Sequence, residues 1–428
     1  MSIIKNATEL FQGFSKLAPE ERFACLMELG ALTAEDVFFL KQGGVLDTNL
    51  ANKLIENVIG YFQLPLGVAT NFQIDGQDYV IPLAVEETSI IAALSKTAKW
   101  IRQKGEITTA IHGHCILGQI QLAKVRNFAR FSAIFEENKR SLITKANEDV
   151  ATNMVRRGGG VMDIELRKLA RTDGADMAVI HLTMDSCDAM GANILNQVLE
   201  YLKEPIEQLT GESVSMCILS NLNDQKLTTA KVVIHDVESE LGERLEEASL
   251  FAEMDPYRAA THNKGVMNGV DPVLIATGND WRAVEAGVHA YASRTGHYQA
   301  ISTWRYKDNT LKGELTAPII VGTVGGVTSL HPTAKMCLRM MGIESANQLS
   351  RVIAAVGLVQ NLGAIRALCT EGIIQGHMKL HIDNLLMVAG ATDVEVPLLK
   401  KRLQHSLIVN KRLSLNNACE LLAEIRQS

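Results

Sequence analysis

The sequence predicts an α+β fold in which an antiparallel sheet is backed by helices. Two observations support this class: strand and helix patterns alternate between residues 107 and 220, and the spacing is too irregular for repeated βαβ units. The chain has 428 residues, of which 47% are hydrophobic and 21% are charged. This balance is typical of a water-soluble globular protein with about two to three domains.

Charge and hydropathy exclude several classes of protein. The net charge of −6 argues against a nucleic-acid partner, which would require a basic surface. We find no apolar run near the ~18–20 residues of a membrane-spanning helix, and residues 1–12 lack the apolar core of a secretory signal. The seven cysteines are scattered without a C-x-x-C pair, so neither a disulfide framework nor a zinc site is indicated. We therefore expect a cytoplasmic protein that binds no membrane.

The first 62 residues have a helical pattern. Pro19 opens an apolar-periodic run, and Thr33 and Asp47 are side chains that typically cap the start of a helix. The sequence therefore predicts helices after each of these positions, the last of them carrying Leu54 and Ile59.

Strand patterns begin after residue 62. Two apolar runs flank Asp75-Gly76, a dipeptide typical of a tight hairpin, and a helical pattern at 90–103 ends at Gly105. The separate unit at 107–220 has predicted strands at 116–122, 178–182 and 214–219 and predicted helices at 128–147 and 193–209. Residues 220–375 mix helix with glycine-rich turn, and residues 376–428 predict short helices.

One short block is a candidate for dinucleotide binding. Residues 188–193 (DAMGAN) follow a predicted strand and open a helix, where small residues let a ligand approach the backbone and free N–H groups attract phosphate. The Rossmann G-x-G-x-x-G and the Walker sequence are both absent. Taken alone, the block is more often an ordinary strand-to-helix turn.

Residues 255–282 are the stretch richest in polar chemistry. Arg258, His262, Lys264 and Asp280 lie here among small residues and turn formers, without the apolar stripe of a surface helix. We therefore expect a loop whose donors suit a small acidic substrate, the alternative being a solvated loop.

Other titratable groups are weaker candidates. Glu86 and Glu87 lie before a predicted helix, where carboxylates complement the helix dipole, and His377 follows a glycine near the end of the chain. His112 and His114 beside Cys115 are too few ligands for a metal site.

Six blocks, in order and over nearly the whole chain, resemble the class II 3-hydroxy-3-methylglutaryl-CoA (HMG-CoA) reductases of bacteria. The blocks are residues 56–60, 86–89, 188–193, 255–285, 322–326 and 376–378. The resemblance implies a large, mainly helical substrate domain at 1–112 and 220–375. A small, non-Rossmann α+β dinucleotide-binding domain at 113–219 is inserted in it, and a mobile C-terminal helical flap occupies 376–428. An obligate homodimer with active sites at the subunit interface, or a higher assembly, is also implied.

The implied activity is reduction of HMG-CoA to mevalonate and CoA by two hydride transfers, through mevaldyl-CoA and mevaldehyde, in isoprenoid metabolism. Mevalonate oxidation by the same residues is the reverse reaction. Lys264 would stabilise the charge on the thioester oxygen, Asp280 would orient Lys264, and Glu87 would donate a proton. His377 would protonate the departing CoA thiolate. These four positions are the implied catalytic set.

The resemblance also implies the binding residues. Ser89, Asn221, Arg258 and Asn268 would contact the hydroxymethylglutaryl group, with Arg258 pairing its free carboxylate. Asp188, Met190, Gly191, Ala192 and Asn193 would line the dinucleotide site. NAD-preferring relatives carry an acidic residue shortly before the triple glycine, and the ungapped equivalent here is Ala151, with Asp149, Arg156 and Arg157 nearby. NADPH, or use of both NADPH and NADH, is therefore favoured, and no metal is implied.

Two other functions remain open at this point. A CoA-thioester hydrolase or acyl transferase would use His377 as base and Lys264 as oxyanion binder, but no G-x-S-x-G nucleophile motif supports it. A non-catalytic scaffold would lack catalytic residues, whereas all four positions are filled here.

Overall fold

The computed structural model describes residues 7–44, 46–370, 382, 384–410 and 413–427. Its strands are β1 Leu66–Ile74, β2 Gln77–Ala84, β3 Gly105–His112, β4 Cys115–Val125, β5 Gly160–Ala170, β6 Asp176–Asp185, β7 Met216–Leu219, β8 Leu227–Ile234, β9 Ser302–Lys307 and β10 Thr310–Ala317. Its α-helices are α1 Ala7–Leu10, α2 Pro19–Glu28, α3 Ala34–Lys41, α4 Thr48–Leu54, α5 Ile90–Lys104, α6 Phe128–Asp149, α7 Thr152–Val155, α8 Ala192–Thr210, α9 Ser239–Met254, α10 Pro256–Ala276, α11 Trp281–Ala292, α12 Gly326–Leu330, α13 Pro332–Met341, α14 Ala346–Cys369, α15 Val396–Asn410 and α16 Leu415–Gln427.

The α+β class expected from the sequence is confirmed. Thr33 and Asp47 cap α3 and α4, accepting the backbone N–H groups of Asp36 and Asn49. The hairpin of β1 and β2 turns at Asp75-Gly76, both with positive φ, which is the backbone of a tight two-residue turn. Helix α4 ends at Leu54, so the expectation that it extends to residue 59 is wrong.

The large unit is built on the antiparallel sheet β3-β8-β10-β9, which packs against α14, α9 and α5, and α10 packs in turn against α14. The sequence predicted only helix and turn between residues 220 and 375, so strands β8, β9 and β10 are a correction. Two glycines let α10 and α14 cross closely. A Cβ at Gly269 would lie 2.9 Å from the carbonyl oxygen of Val356, and one at Gly357 would lie 2.8 Å from a methyl group of Val270.

Helix α14 is long and apolar enough, by length and composition, to cross a membrane. The expectation that no such run exists is therefore wrong. However, 67% of its most apolar window is buried, and it packs against α10, α5 and β8, which identifies it as the core helix of the large unit.

The inserted unit has its own sheet and core. Strands β5-β6-β4-β7 form an antiparallel sheet covered by α6 and α8, as the sequence predicted. Strand β5 was not predicted, because it is an edge strand whose second half is largely exposed and polar. The chain enters this unit after β3 and leaves it before β8, two neighbouring strands of the large sheet.

Residues 255–282 are not the expected loop. Residues 256–276 form α10, which is buried on most of its circumference. Its buried positions are filled with Ala, Gly, His and Asn as well as apolar residues, so the sequence shows no apolar stripe. The accessible side is instead a narrow row that contains Lys264, Asn268, Asp271 and Ile275.

The described C-terminal residues form helices, as predicted, with a small core of their own. Residues 384–388, α15 and α16 are helical. Their buried side chains are Ile382, Leu385, Leu386, Leu399, Leu403, Ala418 and Leu422.

Candidate active site

Lys264 and Glu87 meet at the accessible row of α10. The Nζ of Lys264 donates to Glu87 Oε2 at 3.2 Å, and Glu87 lies in the turn between β2 and α5. The two side chains are 59% and 39% exposed, so this ion pair stays open to a ligand.

A buried hydrogen-bond network holds α10 behind Lys264. His262 is 1% exposed, and its Nε2 lies 2.8 Å from the hydroxyl of Ser302. Asn361 Oδ1 accepts from that hydroxyl at 3.2 Å and from the indole N–H of Trp304 at 2.9 Å. Burial lowers the pKa of His262 to about 4, so its ring is neutral. The sequence predicted no network, yet it fixes the backbone that presents Lys264.

Ser89 begins α5 in a strained backbone conformation. Its φ is 77°, a region that favours glycine, and its Oγ is buried without a hydrogen-bond partner in the part of the chain that the structure describes. The strained backbone and the unpartnered hydroxyl both cost free energy, as is expected where a bound ligand supplies the missing hydrogen-bond partner.

Glu87 and Ser89 line a cavity of about 1330 Å³ between α5, residues 61–71 and the N-terminal helices. Arg22 Nε and His331 Nδ1 are two further buried polar atoms without partners among the described residues, and both residues line the same cavity. Lys96 and Lys99 also line it. A large, mostly apolar space with a few unsatisfied polar groups and cations is suited to an extended organic anion.

Arg258 precedes Lys264 on α10, and its positive charge is not compensated by a described ion pair. Its guanidinium is half-buried, and no ion pair joins it to any residue that the structure describes. Burial lowers the pKa of Arg258, the cost that a bound carboxylate would offset.

Asp280 lies apart from Lys264. It caps α11, accepting the N–H groups of Arg282 and Ala283, and its Oδ1 pairs with the Arg282 guanidinium at 3.2 Å. Lys264 lies twelve residues before the end of α10, so about 18 Å of helix separates it from the turn that leads to Asp280. One chain therefore does not bring the implied Lys264–Asp280 pair together.

The DAMGAN block lies where the two units meet. Asp188 accepts the N–H of Ala346 with its carboxylate and the N–H of Thr323 with its carbonyl, both at 2.9 Å. It thus ties the loop to the large unit. Met190, Ala192, Asn221 and Ala283 surround a small space of about 20 Å³ beside it.

This block also fits a dinucleotide. Gly191 begins α8 with φ 93° and no side-chain cap, so the first N–H groups of the helix are not bonded by a capping side chain. A Cβ at Gly191 would lie 2.5 Å from Ile116, and one at Gly322 would lie 2.6 Å from the N atom of Met190. Asn193 follows in the first turn of α8.

Before the triple glycine, the position found by ungapped counting is not at the protein surface. Ala151 is fully buried in the core of the small unit, whereas Asp149, Arg156 and Arg157 are exposed. The carboxylate of Asp149 accepts a hydrogen bond from Tyr201, which raises the pKa of that phenol to about 12. The exposed charges shortly before the triple glycine are thus the carboxylates of Glu148 and Asp149, the second of them bonded by Tyr201, and two guanidinium groups.

Sequence reasoning missed Lys226, which is only 5% exposed. It lies where the chain returns from the small unit to β8. Burial lowers its pKa, and the nearby carboxylates of Asp185 and Asp188 oppose that shift. A lone lysine in a polar turn gave no signal.

Some candidates do not enter the observed geometry. His377 lies outside the described residues. His112 Nε2 lies 3.1 Å from the hydroxyl of Thr229, and within the described chain no three His, Cys, Asp or Glu side chains are grouped to hold a metal. All seven cysteines are free thiols.

Comparisons with known proteins agree with this architecture. The family model described as hydroxymethylglutaryl-coenzyme A reductase matches residues 18–382. The chain is 44% identical to the 3-hydroxy-3-methylglutaryl-coenzyme A reductase of Archaeoglobus fulgidus, over 97% of this chain and 94% of that protein. It is 33% identical to a probable reductase of the same kind from Borreliella burgdorferi, over 78% and 77% of the two chains.

Solved structures agree as well. The reductase from Streptococcus pneumoniae superposes with a TM-score of 0.82 at 38% identity, covering 97% of this chain and 99% of that one. A class II structure from the same organism, bound to NADPH in open conformations, gives 0.81 at 38% identity, with coverage of 84% and 100%.

The comparisons identify an NAD(P)-dependent oxidoreductase, and its fold consists of a large unit and an inserted small unit with its own antiparallel sheet. The chain belongs to the hydroxymethylglutaryl-CoA reductase family, in its class II branch.

Proposed function

We propose that this chain reduces HMG-CoA to mevalonate and CoA with NAD(P)H, and that Glu87 and Lys264 act on the thioester carbonyl. The observation that carries the assignment is the 3.2 Å contact between these two side chains, of which Glu87 lines the 1330 Å³ cavity. The bound dinucleotide supplies hydride in both reductive steps, of the thioester and then of mevaldehyde.

The negative charge that develops on the carbonyl oxygen requires a positive group held in place. Lys264 supplies an ammonium on a helix whose buried face is fixed by the His262 network. Preorganised donors of this kind are among the largest contributions to catalysis. Glu87, in contact with Lys264, is placed to deliver a proton to the same oxygen.

The substrate's ends are recognised by different groups. Arg258 pairs the free carboxylate of the hydroxymethylglutaryl group, and Ser89 and Asn268 bond its oxygens. The orphan Oγ of Ser89 supports this placement. The CoA portion enters the cavity, where Lys96 and Lys99 offer cations to its phosphates.

The dinucleotide binds along Met190, Gly191, Ala192 and Asn193, with Asn221 beside the reacting carbon. Asp188 helps by fixing the loop to α14 through its bond to Ala346. Ala151 is a core position, so we assign cofactor preference to the exposed Arg156 and Arg157 instead, whose cations suit a 2′-phosphate.

Asp280 completes the site of a second copy of the chain. Within one chain Lys264 pairs with Glu87 and Asp280 pairs with Arg282, and Asp280 begins α11 beside the dinucleotide loop. Exposed apolar side chains support a homodimer: Ile59 is fully exposed, and Phe62 is 91% exposed in a segment without regular structure. Such residues are typical of surfaces that a partner covers.

We further propose that the enzyme is cytoplasmic, works in mevalonate metabolism, and closes a C-terminal flap carrying His377 over bound substrate. There the histidine protonates the CoA thiolate. Replacement of His377 by Ala is therefore expected to slow reduction of HMG-CoA about a hundredfold but reduction of supplied mevaldehyde much less. Steady-state rates with the two substrates check this, and equal losses would contradict the role.

Purified enzyme is expected to consume NADPH only when HMG-CoA is present, with two NADPH oxidised per CoA released. Absorbance of the reduced nicotinamide and a thiol assay measure the ratio. Release of CoA without nicotinamide oxidation would instead indicate a hydrolase.

NADPH is expected to be preferred over NADH. The double change Arg156→Ala with Arg157→Ala is expected to raise the KM for NADPH about tenfold while leaving the KM for NADH unchanged.

A further inference from the structure

Asn279 lies in the turn between α10 and α11, directly before Asp280. Helix α10 ends in a tight turn, in which the N–H of Asn279 donates to the carbonyl of Leu274 at 2.9 Å and Gly278 takes a left-handed φ of 68°. A Cβ at Gly278 would lie 3.2 Å from the Cβ of Ala334, so the backbone here lies directly against α13. The turn is therefore fixed by packing as well as by its own hydrogen bonds.

The side-chain amide of Asn279 is bonded at both ends. Its Nδ2 donates to the hydroxyl of Thr277 at 3.0 Å, and its Oδ1 accepts the backbone N–H of Gly322 at 2.8 Å. Thr277 is fully buried, and its hydroxyl donates its single hydrogen to the carbonyl of Val273 at 2.8 Å. That hydroxyl can therefore only accept from Asn279, which directs the amide oxygen of Asn279 towards Gly322.

The segment that Asn279 holds is itself bonded to the dinucleotide loop, which the DAMGAN block forms. The N–H of Thr323, the residue after Gly322, donates to the carbonyl of Asp188 at 2.9 Å. A Cβ at Gly322 would lie 2.6 Å from the N atom of Met190, so the two backbones are in direct contact. A continuous chain of contacts thus leads from the turn between α10 and α11 to the dinucleotide loop.

We propose that Asn279 is a positioning residue, which holds the dinucleotide loop at a fixed distance from Asp280. The carboxylate of Asp280 accepts the N–H groups of Arg282 and Ala283, so it stays with the turn that Asn279 belongs to. Groups that act on one substrate must be held to within about 0.5 Å of their productive geometry. The inference rests on the proposed function for the roles of Asp280 and of the loop, and the hydrogen bonds of Asn279 do not depend on it.

Equilibrium binding of NADPH, in the absence of substrate, tests this role. Asn279→Leu removes both side-chain bonds while keeping a similar volume. Gly322 is buried, so its N–H would lose its partner and the dinucleotide loop would lose the support of the turn. The Kd for NADPH, measured by nicotinamide fluorescence, is expected to rise about tenfold. A Kd equal to that of the wild type would overturn the proposal.

Gln348 on α14 provides a matched control. Its Oε1 accepts the N–H of Glu344 at 2.9 Å and its Nε2 donates to the hydroxyl of Tyr79 at 3.1 Å, and both Gln348 and Asn279 are half-buried. Gln348→Leu therefore removes the same kinds of bond, at similar lengths, from a side chain that does not contact the dinucleotide loop. Its thermal midpoint is expected to fall as far as that of Asn279→Leu, while its Kd for NADPH stays at the wild-type value. Equal weakening of NADPH binding in both variants would indicate general destabilisation and contradict the role.

A conservative variant and the kinetic constants complete the test. Asn279→Gln keeps an amide acceptor and donor on a side chain one methylene longer, and its Kd for NADPH is expected to lie within about threefold of the wild type. In Asn279→Leu we expect kcat to fall about tenfold and the KM for NADPH to rise, while the KM for HMG-CoA stays unchanged.

The outcomes separate this inference from the proposed function. NADPH binding as weak in Asn279→Gln as in Asn279→Leu, or a raised KM for HMG-CoA with an unchanged KM for NADPH, would refute the role of Asn279. A wild type that binds NADPH without reducing HMG-CoA would refute the proposed function, and the Kd values of the four proteins would still decide the role of Asn279.

Discussion

Replacement of Lys264 by alanine is expected to lower kcat for HMG-CoA reduction about a hundred- to thousandfold, because the oxyanion loses the cation that stabilises it. The fold should remain intact. Lys264 is 59% exposed, and its one described ion pair, with Glu87, is a solvent-accessible contact of the kind that contributes little to stability.

The chain offers a closely matched control for this variant. Lys231 on β8 pairs with Glu314 at 3.2 Å, and the two side chains are 56% and 49% exposed. Lys231→Ala removes an ion pair of the same length and similar exposure away from the cavity, so its kcat should equal that of the wild type. Oxidation of NADPH measures both variants, and far-ultraviolet circular dichroism checks the fold. If Lys264→Ala kept a tenth of the activity, the proposed role would be wrong.

The sequence predicted those parts of the fold that are specified locally. Asp75-Gly76 adopts the positive φ angles of a tight turn whatever its surroundings, and Thr33 satisfies a backbone N–H within its own helix. In the small unit, one face of β4 and β6 packs on α6 and α8. The apolar residues of these strands and helices are therefore the buried ones, and their pattern predicted the elements correctly.

Helix α10 could not be predicted in this way, because contacts with elements distant in the sequence determine which of its side chains are buried. It is surrounded by α9, α14, β2 and α11, and it replaces the usual apolar stripe with small residues such as Gly269 that let α14 approach. The pattern therefore looked like a loop. The strands β8 to β10 were also missed, although β9 and β10 form a local hairpin that turns at Asp308-Asn309, both with positive φ.

The candidate site was likewise only partly predictable from the sequence. Motifs identified the types of residue in the site but not the distances between them. The contact between Lys264 and Glu87 joins positions 177 residues apart and has no local signature. The separation of Lys264 from Asp280 became visible only when residues 256–276 proved to be one continuous helix.

The separation of Lys264 from Asp280 within one chain leads to a prediction for mixed dimers. A dimer formed by one Lys264→Ala chain and one Asp280→Ala chain is expected to regain about half of the wild-type activity, although each homodimer is nearly inactive. One of its two sites then combines two altered residues, whereas the other combines an intact Lys264 with an intact Asp280 from the opposite chain. Purification through two different affinity tags isolates the mixed dimer, and NADPH oxidation measures it.

A second mixed dimer provides the control, because Lys264 and Glu87 meet within one chain at 3.2 Å. When Lys264→Ala is combined with Glu87→Gln, each site keeps one altered residue of that pair, so no recovery is expected. Recovery in the first combination but not in the second requires that Lys264 and Asp280 act across the interface. An inactive Lys264→Ala and Asp280→Ala dimer would contradict the assignment of Lys264 and Asp280 to opposite sides of the interface.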